Sequence, residues 1–137
     1  MGSLEADQTS TEDSEGQCST REPSDPDLEI RECVRRLNDR LGPTLVSSLA
    51  GSTDPQHART WVTGAVGPST EATQRLRTAY AAWCNVSEAE GDAVARAWFI
   101  GANPWLDDGS PVNALRHGRL DAVARAADAI VEDSFSG

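Results

Sequence analysis

The chain has 137 residues, a net charge of −10 and a mean hydropathy of −0.47. That length fits one domain or two small helical lobes. No run approaches the roughly 18 apolar residues of a membrane span. The N-terminus also lacks the apolar stretch of a signal peptide, so the sequence predicts a soluble, cytoplasmic protein with no membrane partner.

Residues 1–27 hold eight acids and one arginine, a net charge of −7, and Leu4 is their one large apolar side chain after Met1. Burial there cannot offset about 1–2 kcal/mol per residue of backbone ordering, so a disordered acidic tail is expected. Such a tail acts as a solubilising segment, a partner-binding arm or a mimic of DNA. Residues 28–85 carry a net +2 and residues 86–137 a net −5. Only the middle segment therefore approaches a phosphate backbone with ease. All twelve basic residues are arginine, with no lysine. Cys18, Cys33 and Cys84 are widely spaced and form no CxxC. Cys33 and Cys84 read as buried, reduced thiols.

After the tail, helical spacing dominates. Ile30, Cys33, Val34, Leu37 and Leu41 recur at three and four residues, predicting a helix from about residue 27 to residue 41. Gly42-Pro43 ends it and opens a short helix to about Ala50, with Leu45, Val46 and Leu49 inward. Asp54-Pro55 is a helix-start signal for a third helix to Thr63, which Gly64 closes. Trp61 is expected in the core. Ser69 or Thr70 caps a fourth helix to about Cys84, with Ala72, Leu76, Ala79, Tyr80 and Trp83 on one side. Ser87 and Glu90 fit a capping box for a fifth helix, whose inward stripe would be Ala93, Val94, Ala97 and Trp98. A break at Gly101–Pro104 and a turn through Asp107-Asp108 follow. Ser110-Pro111 then opens a short helix to Arg116. The last helix spans about residues 119–133, with Leu120, Val123, Ala124, Ala127, Ile130 and Val131 inward. No segment alternates as a strand does, so the fold class is all-α. The chain divides into the tail (1–27), a middle segment (28–85) and a C-terminal segment (86–137).

The catalytic inventory is thin. HExxH, GxSxG, the P-loop and GxGxxG are absent, and the scattered His and Cys make no zinc spacing. The sequence therefore predicts neither an enzyme nor a cofactor or metal site. Asp107-Asp108 reads as a solvated turn. Helix, Gly-containing turn and second helix at 43–63 form either a packed hairpin or a helix-turn-helix. In the second case Gln56, His57, Arg59 and Thr60 would face a major groove, where Gln pairs with adenine and Arg with guanine. Arg75 and Arg77 would contact phosphates, as would Arg35, Arg36 and Arg40. Trp98, Phe99 and Trp105 fall within eight residues of a chain with seven aromatics. Trp105 lies between helices beside an acidic turn, a candidate partner anchor.

Residues 97–135, AWFIGANPWLDDGSPVNALRHGRLDAVARAADAIVEDSF, resemble the toxin-binding part of the Xre/MbcA/ParS-like antitoxins. That pattern is carried by Trp98, Asn103, Pro104, Leu106, Pro111, Leu115, Gly118, Val123 and Ile130. Residues 45–83 are similar to the family's short helix, turn, recognition helix and connecting helix. The resemblance implies an Xre-type helix-turn-helix followed by a small toxin-binding domain. It implies neutralisation of a RES-domain toxin, an enzyme that degrades NAD, by covering its cleft with the C-terminal half. It further implies a homodimer that represses its own operon by binding operator DNA. The partner-facing residues would be Trp98, Asn103, Pro104, Trp105, Leu106, Pro111, Leu115, Arg116 and Arg119. A NAD cleft must attract pyrophosphate, so the −5 of residues 86–137 suits such a surface. Two further readings stay open: a transcriptional regulator of this architecture without a toxin, and a helical adaptor that binds a protein through Trp105.

Overall fold

The computed structural model describes residues 26–63 and 66–136, with side chains for 29–63 and 66–133. Among these the chain is all-α. The helices are α1 (Pro26–Leu41), α2 (Pro43–Leu49), α3 (His57–Thr63), α4 (Thr70–Glu90), α5 (Asp92–Ile100), α6 (Pro111–Arg116) and α7 (Leu120–Ser136). A 3-10 turn spans Pro104–Leu106, and one isolated bridge pairs Asn103 with Gly109. The expected acidic tail falls on residues outside those described, up to the start of α1 at Pro26. Gly64 also lies outside them.

The elements follow from apolar spacing and caps. In α1, Ile30, Cys33, Val34 and Leu37 are buried and Leu41 is partly so. The opposite face is charged, with Glu32 pairing to both Arg35 and Arg36. Pro43 sits in the first turn of α2, where a missing N–H leaves nothing unpaired. The Ser69 side chain accepts from the Ala72 amide at 3.1 Å and starts α4. The 21 residues of α4 make the molecule's spine. It packs against α1 on one side and against α5 and α7 on the other. One core cluster draws on all seven helices, so residues 28–85 and 86–137 share a single apolar interior.

Three expectations about elements are corrected. The helix beginning at Thr70 does not stop near Cys84 but continues to Glu90. Ser87 therefore lies inside α4, its hydroxyl donating back to the Cys84 carbonyl, and forms no capping box. The break falls at Gly91, whose φ of 94° and ψ of 162° suit glycine alone. Its amide closes α4 on Ser87 at 2.8 Å, and its carbonyl accepts from Ala95 at 3.0 Å to open α5. Next, α3 starts at His57, so Pro55 and Gln56 belong to the preceding turn; the Asp54 carboxylate accepts from the Gln56 amide there. Last, the register of α5 is rotated. Ala95 and Phe99 are buried and Trp98 is partly buried, while Ala93, Val94 and Ala97 are exposed. In α7, Val123, Ala126 and Ala127 are buried and Ala124 is exposed.

The cysteines differ from each other. Cys33 is a free, buried thiol, but Cys84 is disulfide-bonded, which corrects the expectation that both are reduced. Among the described residues no helix is long and apolar enough to cross a membrane.

Candidate protein-binding surface

The sequence of α5, DAVARAWFI, is apolar at seven of nine positions, too many for one buried face. Phe99 decides which face goes in. It is fully buried, meets Trp98 edge-on at 5.0 Å between ring centroids, and lies 6.2 Å from Trp83. With about 100° of turn per residue, Ala93, Val94, Ala97 and Ile100 then fall on an arc of about 120° opposite Ala95 and Phe99. All four are exposed, Ile100 by 58%.

The chain leaves α5 into a small knuckle, residues 103–109. Asn103 builds it. Its buried side chain accepts from the Trp105 amide at 2.9 Å, and its own amide donates to the Gly109 carbonyl at 3.0 Å. Its carbonyl accepts from both Leu106 and Asp108 at 2.9 Å. Leu106 plugs the knuckle into the core. Asp107 and Asp108 hold successive left-handed conformations, at φ 58° and 67°. Aspartate tolerates that region better than most residues, yet two in a row store strain. Held in this way, Trp105 projects with 59% exposure beside exposed Pro104 and the two carboxylates. Arg119 lies 3.4 Å from Asp107.

An indole presented on a braced turn loses little conformational entropy on contact. The indole is followed in sequence by the exposed Asp107 and Asp108, and the α5 arc is a second exposed apolar feature. Of the residues expected to face a partner, Asn103, Leu106, Pro111 and Leu115 are buried, so their side chains are not free to touch one. Trp98 is partly buried against Phe99. Arg116 faces elsewhere. It donates to the carbonyls of Ser48 at 3.1 Å and Ser52 at 3.2 Å, tying α6 to the turn after α2.

The residues considered for DNA divide. Gln56, in the turn ahead of α3, and Arg59, in its first turn, are exposed. The His57 ring is 2.5 Å from the Ser52 hydroxyl, 3.7 Å from the Asp54 carboxylate and tilted by 31° against the Trp61 ring, 5.7 Å between centroids. The Thr60 hydroxyl donates to the Gln56 carbonyl. The Arg75 guanidinium lies between two turns: a Cβ on Gly51 would come within 2.9 Å of it, and one on Gly118 within 3.5 Å. Its Nε is buried and has no hydrogen-bond partner among the described residues. Arg77 donates to Glu29 at 2.6 Å. Arg35 and Arg36 share Glu32, and Arg40 reaches Asp92 at 3.1 Å. The fold thus gathers Arg75 and Arg116 at the α2–α3 turn, a meeting the sequence did not signal.

Ser47, also unsignalled, joins the same region from inside. Its buried hydroxyl accepts from the Ala58 amide at 2.9 Å and donates to the Pro55 carbonyl at 3.1 Å. The exposed α5 arc did leave a trace in the sequence, the excess of apolar residues over what one face needs. Among the described residues no group of three or more His, Cys, Asp or Glu is placed to hold a metal. Compared with protein-family models, curated proteins and solved structures, the chain matches none of them.

Proposed function

We propose that this protein is a non-catalytic, antitoxin-like binding protein whose Trp105 knuckle and exposed α5 arc cover the active-site cleft of a RES-domain toxin. The observation that carries this reading is Trp105, 59% exposed on a turn braced by Asn103 and Leu106. Trp105, Val94 and Ile100 are each exposed; an indole left in water contributes nothing to the fold, whereas a partner's pocket gains from it both apolar area and a specific anchor. The exposed Asp107 and Asp108 complement a cleft that must attract a pyrophosphate. The toxin class comes from the resemblance of residues 97–135, and a homodimer belongs to the same reading.

The test is co-expression with a RES-domain enzyme, followed by purification and calorimetry. The reading predicts a stable complex and restored NAD levels. Trp105→Ala should weaken binding by about 30-fold, a hot-spot loss of roughly 2 kcal/mol. A chain that leaves the enzyme active and unbound contradicts it.

A second reading, operator binding by α2, the Gly51 turn and α3, is favoured by one observation: Gln56, just ahead of α3, and Arg59, in its first turn, are both exposed. It predicts sequence-specific, salt-sensitive DNA binding that Arg59→Ala abolishes. Unaltered affinity in that variant removes it.

A further inference from the structure

The sequence holds 22 acids against 12 arginines, so an arginine here readily finds a carboxylate. Arg35, Arg36, Arg40, Arg77 and Arg119 each pair with one. Arg75 and Arg116 do not, and both come to the turn between α2 and α3. Among the described residues Arg75 has neither a hydrogen bond nor an ion pair, and Glu71, one turn earlier on α4, does not reach it. Arg116 donates only to the Ser48 side chain and the Ser48 and Ser52 carbonyls. We infer that Arg75 and Arg116 form a site for a small phosphate-class oxyanion, held between the turns at Gly51 and Gly118.

Two glycine turns make the cradle. Gly51 and Gly118 both hold positive φ, 91° and 78°. A Cβ on Gly51 would come 2.9 Å from the Arg75 Nη1, and one on Gly118 3.5 Å from its Nη2. The two tips of the guanidinium fork thus lie against bare backbone, one turn from each half of the chain. Arg116 arrives at the same turn from α6. Its Nη1 donates to the Ser48 carbonyl at 3.1 Å, and the Gly51 amide donates to that same carbonyl at 3.0 Å. Two cations therefore share one turn with no counter-charge paired to either, which repels them from each other. An oxyanion between them removes that repulsion and gives the Arg75 fork an acceptor.

Charge and shape point to phosphate. A tetrahedral dianion matches two monocations, and a guanidinium offers it paired, parallel N–H donors. Arg75 is set among backbone with its Nε buried, which suits a compact ion better than the broad backbone of a duplex. The free ion and the phosphate of a small ester share this chemistry. The site is independent of Trp105, and its failure leaves the reading of that surface intact.

The test uses the full chain and inorganic phosphate at about pH 8, where phosphate is mainly the dianion. Calorimetry and urea denaturation are run in phosphate and in chloride at equal ionic strength, so that screening is the same in both. The proposal predicts a saturable heat, and a denaturation midpoint that rises with phosphate but not with chloride. Arg75→Gln and Arg116→Gln should each weaken phosphate at least roughly tenfold. Arg75→Lys keeps the charge, loses the fork and should weaken it too. Arg125→Gln, at an exposed position on α7, should leave it unchanged. Arg75 makes no bond that its loss would break, so its variant decides the matter even if Arg116→Gln fails to fold. Phenyl phosphate separates the sources: binding at least as tight as that of phosphate assigns the site to a phosphorylated small molecule, and weaker binding assigns it to the free ion. Equal midpoints in phosphate and chloride, or equal phosphate affinity in wild type and Arg75→Gln, overturn the proposal. So does duplex DNA binding that Arg75→Gln abolishes in a chain that takes no phosphate.

Discussion

Ser47 is a small polar side chain in an apolar core, and it is there because two backbone groups need it. The Ala58 amide and the Pro55 carbonyl sit at the entry to α3, where no helical partner exists for them. Ser47→Ala removes both bonds and leaves the buried Ala58 amide without its partner, which should lower stability by about 1–3 kcal/mol in urea denaturation. Glu32 makes the opposite kind of contribution, at the surface. The hydrogen bond from Arg35 holds its carboxyl below the usual 4.5, and burial opposes that shift. The unfolded chain therefore takes up this proton first as pH falls. Stability from Glu32 is present above 4.5 and is lost as pH drops through the lower folded value. Denaturation midpoints measured from about pH 6 to about pH 3 should fall less steeply in Glu32→Gln than in the wild type.

Gly91 sets the boundary between two helices on which the surface depends. Its backbone lies where a β-carbon is strained, yet nothing lies within 4 Å of where that carbon would sit. Gly91→Ala should therefore cost about 1–3 kcal/mol by backbone strain alone, read as a lower denaturation midpoint with unchanged helix content. Elements with a single apolar face were legible in the sequence. The stripe of Ile30, Cys33, Val34 and Leu37 in α1, and that of Ala72, Leu76, Ala79 and Trp83 in α4, are the buried faces. The Ser69 and Ser110 caps also stand where the sequence puts them. The phase of α5 was not legible, because a helix apolar nearly all round has no preferred stripe. Its tertiary contacts fix its rotation: Phe99 lies 6.2 Å from Trp83 of α4, and the Arg96 side chain donates to the Arg40 carbonyl of α1 at 3.0 Å. Nor was the end of α4 legible. Ser87 and Glu90 satisfy a local capping pattern, but the core buries Val86 and keeps the helix running past them.

At the scale of the molecule, two arginines couple the segments that charge alone sets apart. Arg116 reaches from α6 to the carbonyls of Ser48 and Ser52, and the Arg75 guanidinium from α4 lies between the Gly51 and Gly118 turns. The α2–α3 turn is thereby held by the C-terminal half. Composition could not indicate this, since it depends on which arginines the fold brings to one place. The candidate surface was half legible for a related reason. The aromatic beside an acidic turn singled out Trp105, which stands 59% exposed. Leu106, Pro111 and Leu115 were read with it but lie inside, because the core buries their apolar side chains.

The central claim is that Trp105 is presented for a partner and is not needed for the fold. It is tested most directly by titrating a purified RES-domain enzyme with the wild-type chain and with Trp105→Ala, after checking that both unfold at the same denaturant midpoint. The account predicts equal stability within about 0.5 kcal/mol and an affinity weakened by about 30-fold in the variant. Equal affinity for the two chains, or no binding by either, would contradict it.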